Sequence, residues 1–144
     1  MPKNALYAEL FHRMNDANKH GRWIEASWYA YSLLEDRLLS LLRSSGGEGK
    51  GGAGKPLRMV GPKLKELQYR SKKDELLRAN FAHDDIDAWK EERNNLMHAM
   101  AYGSMTIGDI DVAAERLAGD GVKLVASVAA ACRRVKKHRS KVTA

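Results

Sequence analysis

The sequence predicts an all-α protein, an up-and-down bundle of about five helices. Three observations point that way. All three prolines lie before residue 63. No Val/Ile/Thr-rich alternating run reads as a strand. Long stretches instead repeat apolar residues every three or four positions, the spacing of one helix face.

The first helix is predicted over Asn4–Asn18, where Tyr7, Leu10, Phe11 and Met14 recur at helical spacing, and it ends near Gly21. The second, Trp23–Arg43, is the strongest: Ile24, Trp28, Tyr31, Leu38 and Leu42 fall on one stripe. The run SSGGEGKGGAGKP follows, and its glycines predict a mobile connector over 44–56. A third helical region spans Lys63–Asn80, with a break near Ser71, where Ser-Lys-Lys-Asp-Glu resembles a helix start. The HDD run at 83–85 offers N-cap residues for a helix over Asp85–Tyr102. The last helix is predicted from Ile107 to Lys137, weakened at Gly119 and Gly121, where it would kink or break. The domain is read as residues 1–138, with a basic, frayed tail at 139–144.

A chain of 144 residues can bury one sizeable core. The formal charge of +7 points to a polyanionic partner, RNA or DNA, or simply to solubility. The single cysteine, Cys132, cannot form an internal disulfide. The N-terminal residues lack a signal-peptide pattern, and the longest apolar stretch, Val122–Cys132, is too short to span a bilayer. These features predict a cytoplasmic protein without a membrane partner. Gly49–Lys55 matches most of a phosphate-binding P-loop, but Pro56 stands where Ser or Thr should reach the metal, and no strand precedes it. The run reads as a linker. The five histidines show no metal-ligand spacing, so no metal site is predicted.

On a helical wheel, Ile86, Trp89, Leu96, Met97 and Met100 lie within about 60° of Arg93. Asp87, Glu91, Asn94 and His98 form a separate polar stripe. A charge on a core stripe needs a partner, because an unpaired buried guanidinium is very costly. On the second helix Glu35 is the mirror case, a carboxylate amid Ile24, Trp28, Tyr31, Leu38, Leu39 and Leu42. The expectation is that Glu35 and Arg93 pair across the bundle, fork to carboxylate.

Arginine followed by histidine after four to six intervening residues is uninformative, since it recurs at Arg13/His20, Arg78/His83, Arg93/His98 and Arg133/His138. Requiring Asn directly after Arg leaves Arg93-Asn94-x3-His98 alone. Its chance expectation at this composition is roughly one in sixty.

An R-N-x3-H motif inside the penultimate helix of a small all-α protein resembles the HEPN superfamily. EASWYAYSLLEDRLLSLL looks like the long early helix of these domains, and WKEERNNLMHAM looks like their motif helix. Asp87, six residues before Arg93, resembles a carboxylate that precedes the motif in some eukaryotic members. Some toxin members carry Tyr two residues after the His. Here that position is Met100, and Tyr102 comes four after.

The resemblance implies metal-independent RNA cleavage by a homodimer, without a cofactor, in a toxin or defence effector. An antitoxin of the nucleotidyltransferase type is a candidate partner. The ribose 2′-hydroxyl would attack the neighbouring phosphorus, leaving 2′,3′-cyclic phosphate and 5′-hydroxyl ends. His98 would move a proton, Arg93 stabilise the phosphorane oxygens, and Asn94 orient a phosphate oxygen or the imidazole. Each chain has one motif histidine, so a two-fold dimer would supply the second. Glu35, Asp87 and Tyr102 are candidate supporting residues. Glu35 would hold Arg93 from behind, or Arg93 would lie where the core stripe meets the dimer seam.

The basic stretch with Arg133, Arg134, Lys136 and Lys137 has two readings: RNA-phosphate contacts, or a solvated helix end. Trp23, Trp28 and Trp89, at helical core spacing, read as core residues. A non-catalytic HEPN-like nucleic-acid-binding or scaffold protein, and an unrelated bundle adaptor, remain as alternatives.

Overall fold

A computed structural model describes residues 2–46, 51 and 54–143. It contains α1 (Lys3–Lys19), α2 (Trp23–Ser44), α3 (Val60–Ser71), α4 (Glu75–Asn80), α5 (His83–Tyr102) and α6 (Ile107–Thr143). Among the described residues there is no strand, so the all-α prediction holds. No helix among them is long and apolar enough to cross a membrane. The expected mobile connector, 44–56, falls in part on 47–50 and 52–53, outside the described residues. The P-loop-like run falls there too.

The chain forms two compact units, Met1–Leu33 with Ala88–Val125, and Leu34–Asp87 with Ala126–Ala144. In the first, the turn after α1 is closed by Gly21 at φ 76° and by the Arg22 N–H donating to Ala17 O at 2.8 Å. Arg22 then reaches both Asp16 and Glu25 at 2.8 Å, tying α1 to the start of α2. The core holds Met14, Ala17, Ala26, Ala30, Leu33, Trp89, Leu96, Leu117 and Ala118. Trp89 is buried, and its indole Nε1 donates to Leu117 O at 2.9 Å. A Cβ on Gly121 would sit 2.8 Å from the Trp89 ring. The glycine expected to weaken α6 is the space that Trp89 fills, and the helix runs unbroken through it.

In the second unit Leu34, Leu38, Leu41, Leu42, Leu64, Leu67, Leu77, Ile86, Cys132 and Val135 form the core. The break between α3 and α4 is where the sequence placed it, but the cap is Asp74, which accepts from Leu77 N at 3.0 Å. His83 belongs to the first turn of α5, so the HDD run lies inside the helix instead of capping it. The α6 helix continues to Thr143, past the predicted end at Lys137. One reason is Arg139, whose guanidinium reaches Asp74 at 2.7 Å, tying the basic end of α6 to α4.

Two further expectations fail. Trp28 is 58% exposed. The buried residues of α2 are Ala26, Ser27, Ala30, Leu33, Leu34, Leu38, Leu41 and their neighbours, a face centred roughly 120° from Glu35. Small residues draw that face, and a stripe traced through the largest apolar side chains misses it. The expected Glu35–Arg93 pair is also replaced, because each side chain is engaged inside its own unit. Glu35 accepts from Lys63 Nζ at 2.6 Å and from Met59 N at 2.7 Å. Lys63 is 3% exposed and its Nζ also donates to Leu57 O at 3.0 Å. Met59 has φ 72° and ψ 162°, a region that costs a non-glycine residue on the order of 1–3 kcal/mol. The bond to Glu35 helps to hold it there.

Candidate functional site

The motif helix α5 places most of its stripe as the wheel implied, except that Met100, expected on the core side, is 41% exposed at the end of the helix. Ile86, Trp89 and Leu96 are buried, and Arg93 sits half-buried beside them. Arg93 finds an aromatic partner: its guanidinium carbon lies 4.1 Å from the centroid of the Tyr31 ring, within the range of a cation–π contact. Arg93 Nη1 also donates to Asn94 Oδ1, at a long 3.3 Å. Arg93 Nε is buried and has no hydrogen-bond partner among the described residues. A buried donor without an acceptor costs about 1–3 kcal/mol, so a site that keeps one calls for an explanation.

One helical turn on, His98 is exposed, and its ring stacks on that of Tyr102, with centroids 6.3 Å apart and planes 20° from parallel. Tyr102 is 81% exposed. The four-residue spacing that separates His98 from Tyr102 is what brings the rings together. Asn94 is half-buried between the two groups in sequence, with its carbonyl oxygen turned to Arg93. In the first unit α5 therefore carries two neighbouring pairs, a guanidinium with the Asn94 amide, and an exposed imidazole with an exposed phenol. Such a set can donate to an anionic oxygen and move a proton.

Other predicted residues lie elsewhere. Glu35 and Asp87 belong to the second unit, Glu35 in its clasp with Lys63. Asp87 is half-buried and has an interaction of its own. On α6, Arg133, Lys136 and Lys137 are exposed and outside any ion pair among the described residues. Arg134 is exposed but donates through Nε to Asn80 Oδ1 at 2.9 Å. Arg139, in the predicted frayed tail, is engaged with Asp74. Burial pushes the Asp74 carboxyl upward, but the Leu77 N–H and the Arg139 guanidinium outweigh it and hold it below the ordinary carboxylate range.

The residue that sequence reasoning missed is Tyr31. The signal was present, since Tyr31 lies four positions before Glu35 on the second helix and a ring face is a known seat for a guanidinium. A search restricted to carboxylates passes over it. Compared with protein-family models, with curated proteins and with solved structures, the chain matches none.

Proposed function

We propose that this chain is a metal-independent endoribonuclease of HEPN type, acting as a homodimer in a toxin or defence setting. The observation that carries the reading is Arg93. It sits over Tyr31 and beside Asn94, and no carboxylate pairs with it among the described residues. Arg93 is only half-buried, so its guanidinium can offer its outer nitrogens to a phosphate oxygen as a paired donor, while Nε stays sealed within the fold.

In this reading the 2′-hydroxyl of one nucleotide attacks the adjacent phosphorus. The bond to the 5′-oxygen breaks, leaving a 2′,3′-cyclic phosphate and a 5′-hydroxyl. Arg93 stabilises the phosphorane oxygens, and Asn94 keeps the guanidinium in plane. His98 moves one proton, and the same residue of a second copy moves the other. Freedom from Glu35 supports the reading, because Lys63 already occupies that carboxylate. Exposed Trp28, Met100 and Tyr102 supply apolar surface for a second copy. An antitoxin of nucleotidyltransferase type would restrain the activity.

A second reading, a non-catalytic nucleic-acid-binding or scaffold protein, is favoured by exposed Arg133, Lys136 and Lys137 on α6, which suit RNA phosphates without requiring cleavage. The test incubates the purified protein and His98→Ala with a mixed RNA pool that includes tRNA, in EDTA, and analyses fragment ends. Cleavage by the parent alone, with cyclic-phosphate ends, is expected. A folded dimer that binds RNA and leaves it intact would establish the second reading.

A further inference from the structure

The second unit carries a feature that the nuclease reading does not use. A cleft of about 530 Å³ opens beside α3. Its walls are apolar, formed by Leu57, Pro62 and Tyr69, and Lys55 and Lys65 stand at its rim. Tyr69 is 67% exposed, and Met59, next to the cleft in sequence, is exposed as well. This is the size range of clefts that hold a ligand or a short peptide anchor.

Among the described residues lining the cleft, the charges outside an ion pair are positive. Lys55 and Lys65 are exposed and make no ion pair among the described residues. Glu66 also lines the cleft, but its carboxylate is engaged by Arg70, Oε1 to Nε at 3.2 Å. Arg58 adds another exposed cation, and Lys72 lies 5.9 Å from the Tyr69 ring centroid. The floor is also held in place. Buried Lys63 donates to Leu57 O at 3.0 Å and to Glu35 at 2.6 Å, and Glu35 in turn accepts from Met59 N. The segment 57–59 is thus clasped from behind while its side chains face outward. A pre-set apolar floor loses little entropy when something binds it.

We propose that this cleft docks a short acidic segment of a partner protein. Its apolar side chains seat against Leu57, Pro62 and Tyr69, and its carboxylates meet Lys55 and Lys65. The aliphatic walls favour a protein segment over RNA. A nucleic acid would call for several stacking faces and a wider field of cations, whereas this cleft offers one aromatic ring among aliphatic side chains. The proposal does not depend on RNA cleavage.

The experiment selects binders to the full chain from a displayed random library of peptides about 12 residues long. The leading peptide, labelled with fluorescein, is then titrated by anisotropy against the parent, the Lys55→Glu/Lys65→Glu double variant and Tyr69→Ala. Expected are sequences that combine apolar anchors with Asp or Glu, an affinity about tenfold lower in the charge-reversed variant, and further weakening with salt. All three substituted side chains are exposed, so both variants should keep the parent's circular-dichroism melt. The proposal is overturned by a library without enrichment, by enriched peptides lacking acidic residues, or by unchanged affinity in both variants. Displacement of the peptide by a single-stranded RNA of similar length, with RNA affinity falling in the charge-reversed variant, would also overturn it and assign the cleft to nucleic acid.

Discussion

Glu35 and Arg93 pose the same problem in two regions of the molecule and reach opposite solutions. Each charge is centred on a stripe of large apolar side chains. Glu35 is saturated, with a lysine ammonium and a backbone N–H on its carboxylate. Arg93 is only steadied, with a ring face beneath it, one long bond to Asn94 and a buried Nε left over. A saturated charge has completed its chemistry within the fold. A steadied one has no carboxylate partner among the described residues, and in the proposed reading that leaves it for a phosphate.

Substitution should separate the two. Arg93→Met removes a half-buried charge that has no carboxylate partner, so stability should change by less than about 1 kcal/mol. RNA cleavage should fall by roughly 10²–10³, as on loss of one oxyanion donor. Thermal melts and cleavage rates on the same preparation read both. A melt that drops as far as that of Glu35→Ala would erase the contrast. Glu35→Ala leaves the Lys63 ammonium buried against Leu57 O alone and should cost about 3 kcal/mol in denaturant unfolding. Lys63→Met should cost less, because the Glu35 side chain is one-third exposed and still reaches water.

Tyr31 sharpens the comparison further. Tyr31→Phe keeps the ring face and should retain cleavage. Tyr31→Leu should lose about tenfold, near the 1–2 kcal/mol of a partly desolvated cation–π contact. Equal loss in both variants would shift the role to the hydroxyl.

The smallest effect concerns a third charge, Asp74, saturated like Glu35 by a cation and a backbone N–H. Its folded pKa is lowered, so its contribution is complete above the ordinary carboxylate value of about 3.9 and fades as pH falls through it. Asp74→Ala should cost about 1 kcal/mol at neutral pH and flatten the acid limb of a stability–pH curve. An acid limb unchanged from the parent would remove Asp74 from that account. Asp16, lowered by its bond to Arg22, contributes with the same sign and keeps some slope in the variant.

Much of this was legible in the sequence, and the misses have physical causes. The α3–α4 break could be read because Ser-Lys-Lys-Asp-Glu holds two residue types that cap helices, although the run alone did not show that Asp74 and not Ser71 is the cap. The core side of α5 was clear because Ile86, Trp89 and Leu96 are large and periodic. The core side of α2 was not, since Ala26, Ser27 and Ala30 carry little hydrophobic weight yet permit close helix approach. Gly121 misled for the same reason, since a missing side chain reads as weakness until the Trp89 ring is seen in its place. For Arg93 the wheel located the charge correctly, but a one-helix pattern cannot choose between a carboxylate and a ring as its partner.

The Asp74–Arg139 contact also bears on the order in which the protein is made. The α4 helix has six residues, too few to persist alone in water. Its cap is stabilised by a cation 65 positions further along the chain. At a synthesis rate of about 5–20 residues per second, a nascent chain carries Asp74 without that cation for about 3–13 s. For that interval the cap of α4 lacks its cation, and the arrival of α6 supplies it.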